Sequence, residues 1–509
     1  MIVALTKLYR LKLLSPRGLY CLFHSVLTGG INLMAIVRYA AKRYPGNIAV
    51  TDEQGDISYT DLLTQCEQLA IVLTNKYKLC KGKKVAVMCR NHVTLVRSVF
   101  GISQTGADLY LLNVEMSQGQ FDNFCSRHSF DLIIYDEDVE ALIQESPLKN
   151  KAIAAYNYGP ASVDSLVRKR WVSNGKITRA RSGKITVLTG GTTGEFKTAA
   201  RKASMVNFLD PFTDLVTKLK LEEIKSVYIA TPVYHGFGLA AVFMGLMLGC
   251  RLYLLPRFEK QKACELIAGN RIEAVALVPV MLQRMMACDA GALKSLTCII
   301  SGGAILDAKL VQEATVRLGS ILFNLYGTSE AGVSIMATPA DLAYDCRTLG
   351  KAIKGVAINL LDKNDTEVPV GETGRICISS RWSVRPGGGS RIVTGDLGYR
   401  DKAGYYYLCG KTDDMIVSGG ENVYPAELER ILLQHEHIKQ AAVIGISDEE
   451  FGQRLKAFVV LTDECVLPVK ELRHWLSKRV ARYQMPGEIA FMGELPYTSL
   501  GKPDKKNLV

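Results

Sequence analysis

The sequence predicts an α/β protein: a large N-terminal domain of helix-covered parallel sheets with a small antiparallel β subdomain, then a smaller α+β C-terminal domain. Three observations carry this. From about residue 31 to about residue 350, β-branched apolar runs alternate with helical stretches, the pattern of parallel sheets covered by helices. Several of those runs empty into loops rich in glycine and hydroxyl side chains, where such folds place ligands. Beyond about residue 350 the alternation yields to short strands and tight turns. A chain of 509 residues also exceeds what one core serves, so more than one domain is expected.

Taken in order, residues 1–30 read as a basic, apolar extension. Residues 1–50 hold no Asp or Glu and seven basic residues (Lys7, Arg10, Lys12, Arg17, Arg38, Lys42, Arg43), with Leu, Tyr and Phe interleaved as far as Phe23. Such a segment suits peripheral contact with an anionic membrane surface; the alternative is a basic helix packed on its own domain. The uncharged run Gly18–Val37 is interrupted by Thr28-Gly29-Gly30 and Asn32, which predicts two short helices rather than a membrane span. Lys and Arg break the first apolar stretch, so no cleavable signal peptide is expected.

Leu33, Val37, Ala40 and Tyr44 share one helical face that Pro45 ends. Strands are expected at Lys84–Met88, Asp131–Tyr135, Lys184–Thr189, Val227–Thr231, Ala274–Val278, Thr297–Ser301 and Ile321–Leu325. Ser226–Cys250 is uncharged, but Pro232, His235 and its glycines divide it into a buried strand and a core helix. Antiparallel strands follow at Asn359–Asp362, Gly374–Ser379 and Gly404–Cys409, with Pro386-Gly387-Gly388-Gly389-Ser390 as a flexible turn. From about Asp413 a smaller unit begins. Pro425 opens a helix bearing Leu428, Ile431 and Leu432. Strands Ala441–Ile446 and Leu455–Leu461 come next, then an amphipathic helix carrying Leu472, Trp475, Leu476 and Tyr483.

Composition excludes some functions. The net charge of +12 is spread along the chain with no aromatic-basic RNA motif, so nucleic acid is not an expected partner. The 13 cysteines are scattered without a C-x-x-C pair, which argues against a zinc site or a disulfide framework and for a reducing, cytoplasmic setting. The seven histidines lack metal spacing, and His435 and His437 read as a solvated helix end.

The chemistry begins at Thr189-Gly190-Gly191-Thr192-Thr193-Gly194-Glu195-Phe196-Lys197-Thr198. A strand emptying into this loop offers bare backbone N–H groups and hydroxyls to a polyanion, for which a nucleoside triphosphate is the natural candidate. Glu195 after Gly194 rules out a Walker A loop. Alone, the segment serves equally as a surface turn. Further segments decide the matter: Ser301-Gly302-Gly303-Ala304 at a strand end, Tyr326-Gly327-Thr328-Ser329-Glu330, Thr394-Gly395-Asp396, the stretch from Gly410-Lys411-Thr412-Asp413 through Ser418-Gly419-Gly420-Glu421 to Glu429, and Pro496-Tyr497-Thr498-Ser499-Leu500-Gly501-Lys502.

In this order and spacing they resemble the adenylate-forming superfamily (acyl-CoA synthetases, adenylation domains of peptide synthetases, luciferases) from about residue 31 to residue 509. The resemblance implies an adenylation domain over residues 31–412 and a mobile C-terminal domain over residues 413–509, turning about Asp413. It implies that ATP and Mg²⁺ are bound and that a carboxylate becomes an acyl-adenylate, which coenzyme A then receives as a thioester. In that scheme Thr189, Gly190, Gly191, Thr192, Thr193, Gly194 and Lys197 clasp phosphates. Gly302, Gly303 and Ala304 wall the adenine, with Tyr326 and Gly327 opposite. Ser329 reaches the α-phosphate and Glu330 holds the metal. Asp396 and Lys411 meet the ribose, Gly419 and Gly420 admit the pantetheine arm, and Lys502 bridges carboxylate and α-phosphate. The acceptor is free CoA or the phosphopantetheine of an acyl carrier protein.

Thr231-Pro232-Val233-Tyr234-His235-Gly236-Phe237-Gly238-Leu239 lacks the acidic residue that peptide-synthetase domains use for an α-amine. His235 and Phe237 resemble the aromatic gate of acyl and aryl ligases, and the apolar run Ala240–Leu248 suits an alkyl chain. The wording of the C-terminal motif looks most like fatty acyl-CoA ligases. Phe196, Thr198, Ser329, Arg375, Lys411 and Arg391-Ile392-Val393 depart from the family's usual residues without removing a group the chemistry needs.

Overall fold

The computed structural model describes residues 15–156, 162–168, 179–190, 196–201, 209–380, 391–414, 416–418, 421–448, 452–462, 465–480, 484–498 and 502–508. The strand runs of the sequence meet in two large sheets. One has nine strands in the order Lys351–Ala352, Gly332–Ala337, Leu322–Thr328, Cys298–Gly302, Ala274–Leu277, Ser226–Ile229, Arg251–Leu254, Ile48–Asp52, Gly55–Ser58. Its strands from Leu322–Thr328 to Ile48–Asp52 are parallel, and antiparallel strands close both edges. The other runs Ala152–Ala154, Leu132–Tyr135, Lys84–Met88, Asp108–Leu111, Ile185–Gly190, Phe196–Arg201, parallel except at the last strand.

Both faces of the nine-stranded sheet are covered, because alternate side chains point to opposite sides. Val227, Ile229, Ala274, Cys298 and Ile300 face the other sheet, within one core that also holds Met34, Leu69, Val99 and Val242. Tyr228, Ala230, Val275, Leu277 and Ile299 face away, under helices Lys260–Asn270, Pro279–Asp289 and Ala308–Leu318. The two sheets are stitched at their strand ends by Asn91. Its Nδ2 donates to the carbonyls of Ile229 (3.3 Å) and Thr231 (2.8 Å), and its Oδ1 accepts the Val233 N–H (2.7 Å).

A four-stranded antiparallel sheet follows in the order Val356–Leu361, Gly374–Ser380, Ile392–Arg400, Tyr406–Lys411. The C-terminal sheet runs Glu421–Val423, Ile416–Ser418, Gly452–Leu461, Ile438–Asp448, with Glu488–Met492 parallel to Gly452–Leu461. Helices Pro425–Leu432 and Val469–Ser477 bury Leu428, Leu432, Leu472 and Leu476 against it.

The sequence-derived strands fall within a few residues of those observed, and Gly18–Val37 divides as expected. Ser15 caps a helix Pro16–Gly29, Gly30 at φ +91° breaks it, and Met34–Arg43 follows. Among the described residues no helix is long and apolar enough to cross a membrane. Several strands, among them Ile48–Asp52, Asp108–Leu111, Arg251–Leu254 and Gly332–Ala337, were not among those expected, and three further points differ. Phe196–Arg201 is a strand the sequence did not signal, since Lys197, Ala199 and Ala200 dilute the β character of Phe196 and Thr198. His435 is buried rather than solvated, with its ring edge-on to Trp475 at 4.9 Å. Cys89, His92 and Asp136 bring ligand-type atoms within 4.8 Å of one another despite lacking metal spacing. Both His92 nitrogens are committed there: Nδ1 accepts the Leu95 N–H (3.1 Å) and Nε2 bonds Asp136 (2.9 Å). Tyr483, expected on the last helix, lies outside the described residues.

Candidate active site

The motif residues converge where the nine-stranded sheet, the four-stranded sheet and the C-terminal unit meet. Strand Cys298–Gly302 ends in Gly303, whose φ of +80° belongs to the left-handed region that glycine tolerates best. A side chain at Gly302 would crowd the Leu325 carbonyl (3.2 Å) and the Phe237 ring (3.4 Å), which would have to give by a few tenths of an ångström. Next to it, Leu322–Thr328 turns back on Gly332–Ala337, placing Ser329 and Glu330 at a hairpin tip. Gly327 is required within this hairpin, since a Cβ there would stand 2.2 Å from the Gly332 carbonyl. Glu330 is exposed, an accessible oxygen donor of the type Mg²⁺ takes.

Strand Ile392–Arg400 supplies Asp396, and register places it directly opposite Lys411 on Tyr406–Lys411. The Tyr326 hydroxyl donates to Asp396 Oδ2 at 2.7 Å. Burial raises the Asp396 carboxyl pKa. Tyr326, Lys411 and Lys502 work against that rise, whereas Asp414 adds to it. Asp413 lies in the turn Thr412–Asp414 immediately after Lys411.

Lys502 stands on a tight turn in which its carbonyl accepts the Thr498 N–H (2.8 Å) and Tyr497 bridges Pro503. Its side chain is exposed, yet the surrounding walls, then Lys411, push its pKa below the ordinary lysine value, with Asp396 opposing. The same ammonium acts on His235. Burial, then Lys502, lowers the His235 pKa to about 4, so the imidazole is neutral at physiological pH. Among the described residues His235 Nε2 is buried without a hydrogen-bond partner. His235 itself precedes helix Gly236–Leu248, where Phe237, Ala240, Ala241, Phe243, Met244, Met247 and Leu248 are only part-buried.

The phosphate-loop candidates sit at the end of the second sheet. Thr189 pairs with Lys197 and Gly190 with Phe196 across a β-hairpin. Gly191, Thr192, Thr193 and Gly194 lie outside the described residues, as do Gly419 and Gly420. Ala304 follows Gly303 and is half-buried. Sequence reasoning missed two contributors. Asn91 holds the chain leading to His235, and Lys309 donates to the carbonyls of His435 (2.7 Å) and Ile438 (3.3 Å), tying the C-terminal unit to the large one. A separate cavity of about 530 Å³, lined by Asp52, His92, Asp136, Tyr156 and Pro256, contains none of the expected site residues.

A glycine turn at a strand end, a half-buried tyrosine–carboxylate pair and a lysine from the C-terminal unit thus lie near one another. Residues 37–386 match the AMP-binding enzyme family and residues 427–502 the AMP-binding enzyme C-terminal domain. The chain belongs to the AMP-binding enzyme family, within the adenylate-forming superfamily. It is 27% identical over 468 residues to a 2-succinylbenzoate--CoA ligase of Geobacillus sp. (strain WCH70), covering 89% of this chain and 92% of that one. It is 27% identical over 493 residues to an indoleacetate--CoA ligase of Aromatoleum aromaticum, covering 91% and 95%. Among solved structures it resembles the o-succinylbenzoate CoA synthetase of Bacillus subtilis in complex with its acyl-adenylate, with a TM-score of 0.80, 23% identity and coverage of 93% and 97%. The anthranilate CoA ligase AuaEII in complex with anthranoyl-AMP gives a TM-score of 0.82 at 21% identity, covering 94% and 96%.

Proposed function

We propose that this enzyme is an AMP-forming acid–thiol ligase that activates a monocarboxylic acid with an apolar body and passes it to the thiol of coenzyme A. The observation that carries the reading is the Tyr326–Asp396 hydrogen bond (2.7 Å) with Lys411 directly opposite Asp396 in register and Lys502 near enough to act on both charges, in a chain that matches the AMP-binding enzyme family. In the first step a carboxylate oxygen bonds the α-phosphorus of ATP and the bond to pyrophosphate breaks. Lys502 bridges the attacking carboxylate and the α-phosphate, where negative charge gathers. Asp396 accepts hydrogen bonds from ribose hydroxyls while Tyr326 holds its other side. Gly302, Gly303 and Ala304 leave a flat wall for adenine. Thr189, Gly190 and Lys197, with Gly191 to Gly194, take the outer phosphates, and Ser329 reaches the α-phosphate. Glu330 would hold Mg²⁺, which shields phosphate charge when bound.

In the second step the C-terminal domain turns about Asp413, withdrawing Lys502 and bringing Gly419 and Gly420 to the acyl-adenylate. The thiol sulfur bonds the acyl carbon, the carbon–oxygen bond to AMP breaks, and the thiol proton leaves to solvent. Because His235 is neutral, it can place the acid by a hydrogen bond without adding a second cation beside Lys502.

The substrate class follows from the wall beside His235. Helix Gly236–Leu248 carries no charged residue, and its part-buried face is aliphatic and aromatic. A second carboxylate against that wall would be desolvated without a partner. An alkyl acid, as the C-terminal motif's wording suggests, and an arylacetate, as the indoleacetate ligase's name indicates for that relative, both meet this requirement.

The test is AMP release from ATP and Mg²⁺ with fatty acids, indoleacetate and 2-succinylbenzoate, with and without CoA. Acyl-CoA and AMP from the monocarboxylic acids are expected. Acyl-adenylate that transfers only to a carrier protein would replace CoA as acceptor, and no turnover with any acid would overturn the reading.

A further inference from the structure

The helix Pro16–Gly29 is amphipathic in the inverted sense. Its inward face is made of small residues, Gly18, Cys21, Ser25 and Gly29, spaced to bring it close against Met34–Arg43. The closeness is enforced: a Cβ on Gly29 would overlap the Arg38 guanidinium, which is buried and bonded to Glu67 (2.9 Å) and Gln104 (3.0 Å). Three of its large apolar side chains are left outside, while Leu19, Leu22 and Val26 are half-buried. Tyr20, Phe23 and Leu27 recur along the helix at spacings of three and four residues and, with Ile31 just beyond Gly30, are 63%, 63%, 62% and 49% exposed. A helix at a water-facing surface ordinarily does the reverse. Four large apolar side chains in one exposed stripe are therefore a contact surface rather than scattered exposure.

Charge identifies the partner. Arg17 is exposed one turn before Tyr20, and Lys42 holds its ammonium 5.6 Å from the Tyr20 ring centroid. Lys7, Arg10 and Lys12 precede the helix in sequence, and no carboxylate occurs before Asp52. An apolar stripe with an aromatic pair, edged by cations and free of acids, matches the headgroup–acyl boundary of an anionic bilayer. A second copy of the chain suits it poorly. Like charges would face each other, and one helical stripe falls well short of the roughly 1,200 Å² that a stable dimer buries.

We propose that this face seats the enzyme peripherally on an anionic lipid surface, with Tyr20, Phe23, Leu27 and Ile31 at the acyl boundary and Arg17 and Lys42 at the headgroups. None of these residues belongs to the active site, so the proposal stands apart from the ligase reading.

The test is flotation of the full chain with vesicles of phosphatidylcholine alone or of an equal mixture with phosphatidylglycerol, at low and high salt. Wild type is expected to float with the anionic vesicles, far less with the neutral ones, and to lose most binding at high salt. Phe23→Glu/Leu27→Glu should lower partitioning at least about tenfold, and Arg17→Gln or Lys42→Gln about fivefold each. Because Arg17, Phe23 and Leu27 are exposed and Lys42 is half-buried, unchanged thermal unfolding should accompany each loss. No flotation with anionic vesicles, or equal flotation of the Glu pair, would overturn the proposal. So would light scattering that showed a dimer which the Glu pair dissolves.

Discussion

Asn91 is one amide side chain that closes three buried backbone groups at once, on Ile229, Thr231 and Val233. Asn91→Ala leaves those groups without partners at a cost of about 2–4 kcal/mol. Urea unfolding should show the loss, and a change under about 1 kcal/mol would mean that the groups find other partners. His235 bears on pH. Its pKa is about 4 in the folded chain against an ordinary 6.5. As pH falls, the unfolded chain takes the proton first, so stability drops between about 6.5 and 4 and is flat above that window. His235→Phe should make this acid slope shallower in denaturation followed across that range; an unchanged slope would show that His235 is not held neutral. His235 could be read from its motif. Asn91 could not, because its partners lie 138 to 142 residues away and no local pattern marks a side chain that joins two sheets.

At the scale of elements, the legible parts were those whose signal is local. The Gly302–Gly303, Tyr326–Glu330 and Thr394–Asp396 segments were marked by their glycines and hydroxyls, and the structure sets Gly303 and Gly395 at positive φ and Gly327 where a Cβ would clash. The strand Phe196–Arg201 was invisible because pairing with Ile185–Gly190, rather than propensity, makes it a strand. Lys309 was invisible for a related reason. It sits at the start of helix Ala308–Leu318, where a lysine is unremarkable, and its partners His435 and Ile438 are 126 and 129 residues on. Burial lowers its pKa. Lys309→Ala removes two charge-assisted hydrogen bonds that hold the C-terminal unit in this arrangement. With allowance for solvent at the ammonium, we expect about 1 kcal/mol, or about a fivefold slower adenylation half-reaction. Thioester formation from a preformed acyl-adenylate should change less. Equal slowing of both halves would show a general loss of stability instead of a state-specific latch.

At the scale of the whole molecule, the two parallel sheets, the antiparallel subdomain and the C-terminal unit were all readable, because alternation and periodicity report burial directly. How the units meet was not, because the coupling runs through long-range pairs such as Lys309 with His435 and Lys502 with Asp396. In the proposed mechanism that meeting also assembles the chemistry, since Lys502 serves adenylation only while the C-terminal unit holds it near Asp396 and His235. The most direct measurement is therefore acid-dependent exchange of labelled pyrophosphate into ATP by wild type and Lys502→Ala, with ATP binding followed by calorimetry. Because Lys502 acts on charge that develops in the transition state, the variant should bind ATP within a few-fold of wild type and lose exchange by about 10²-fold or more. Exchange at the wild-type rate by Lys502→Ala would contradict the assignment of this cleft as the adenylation site.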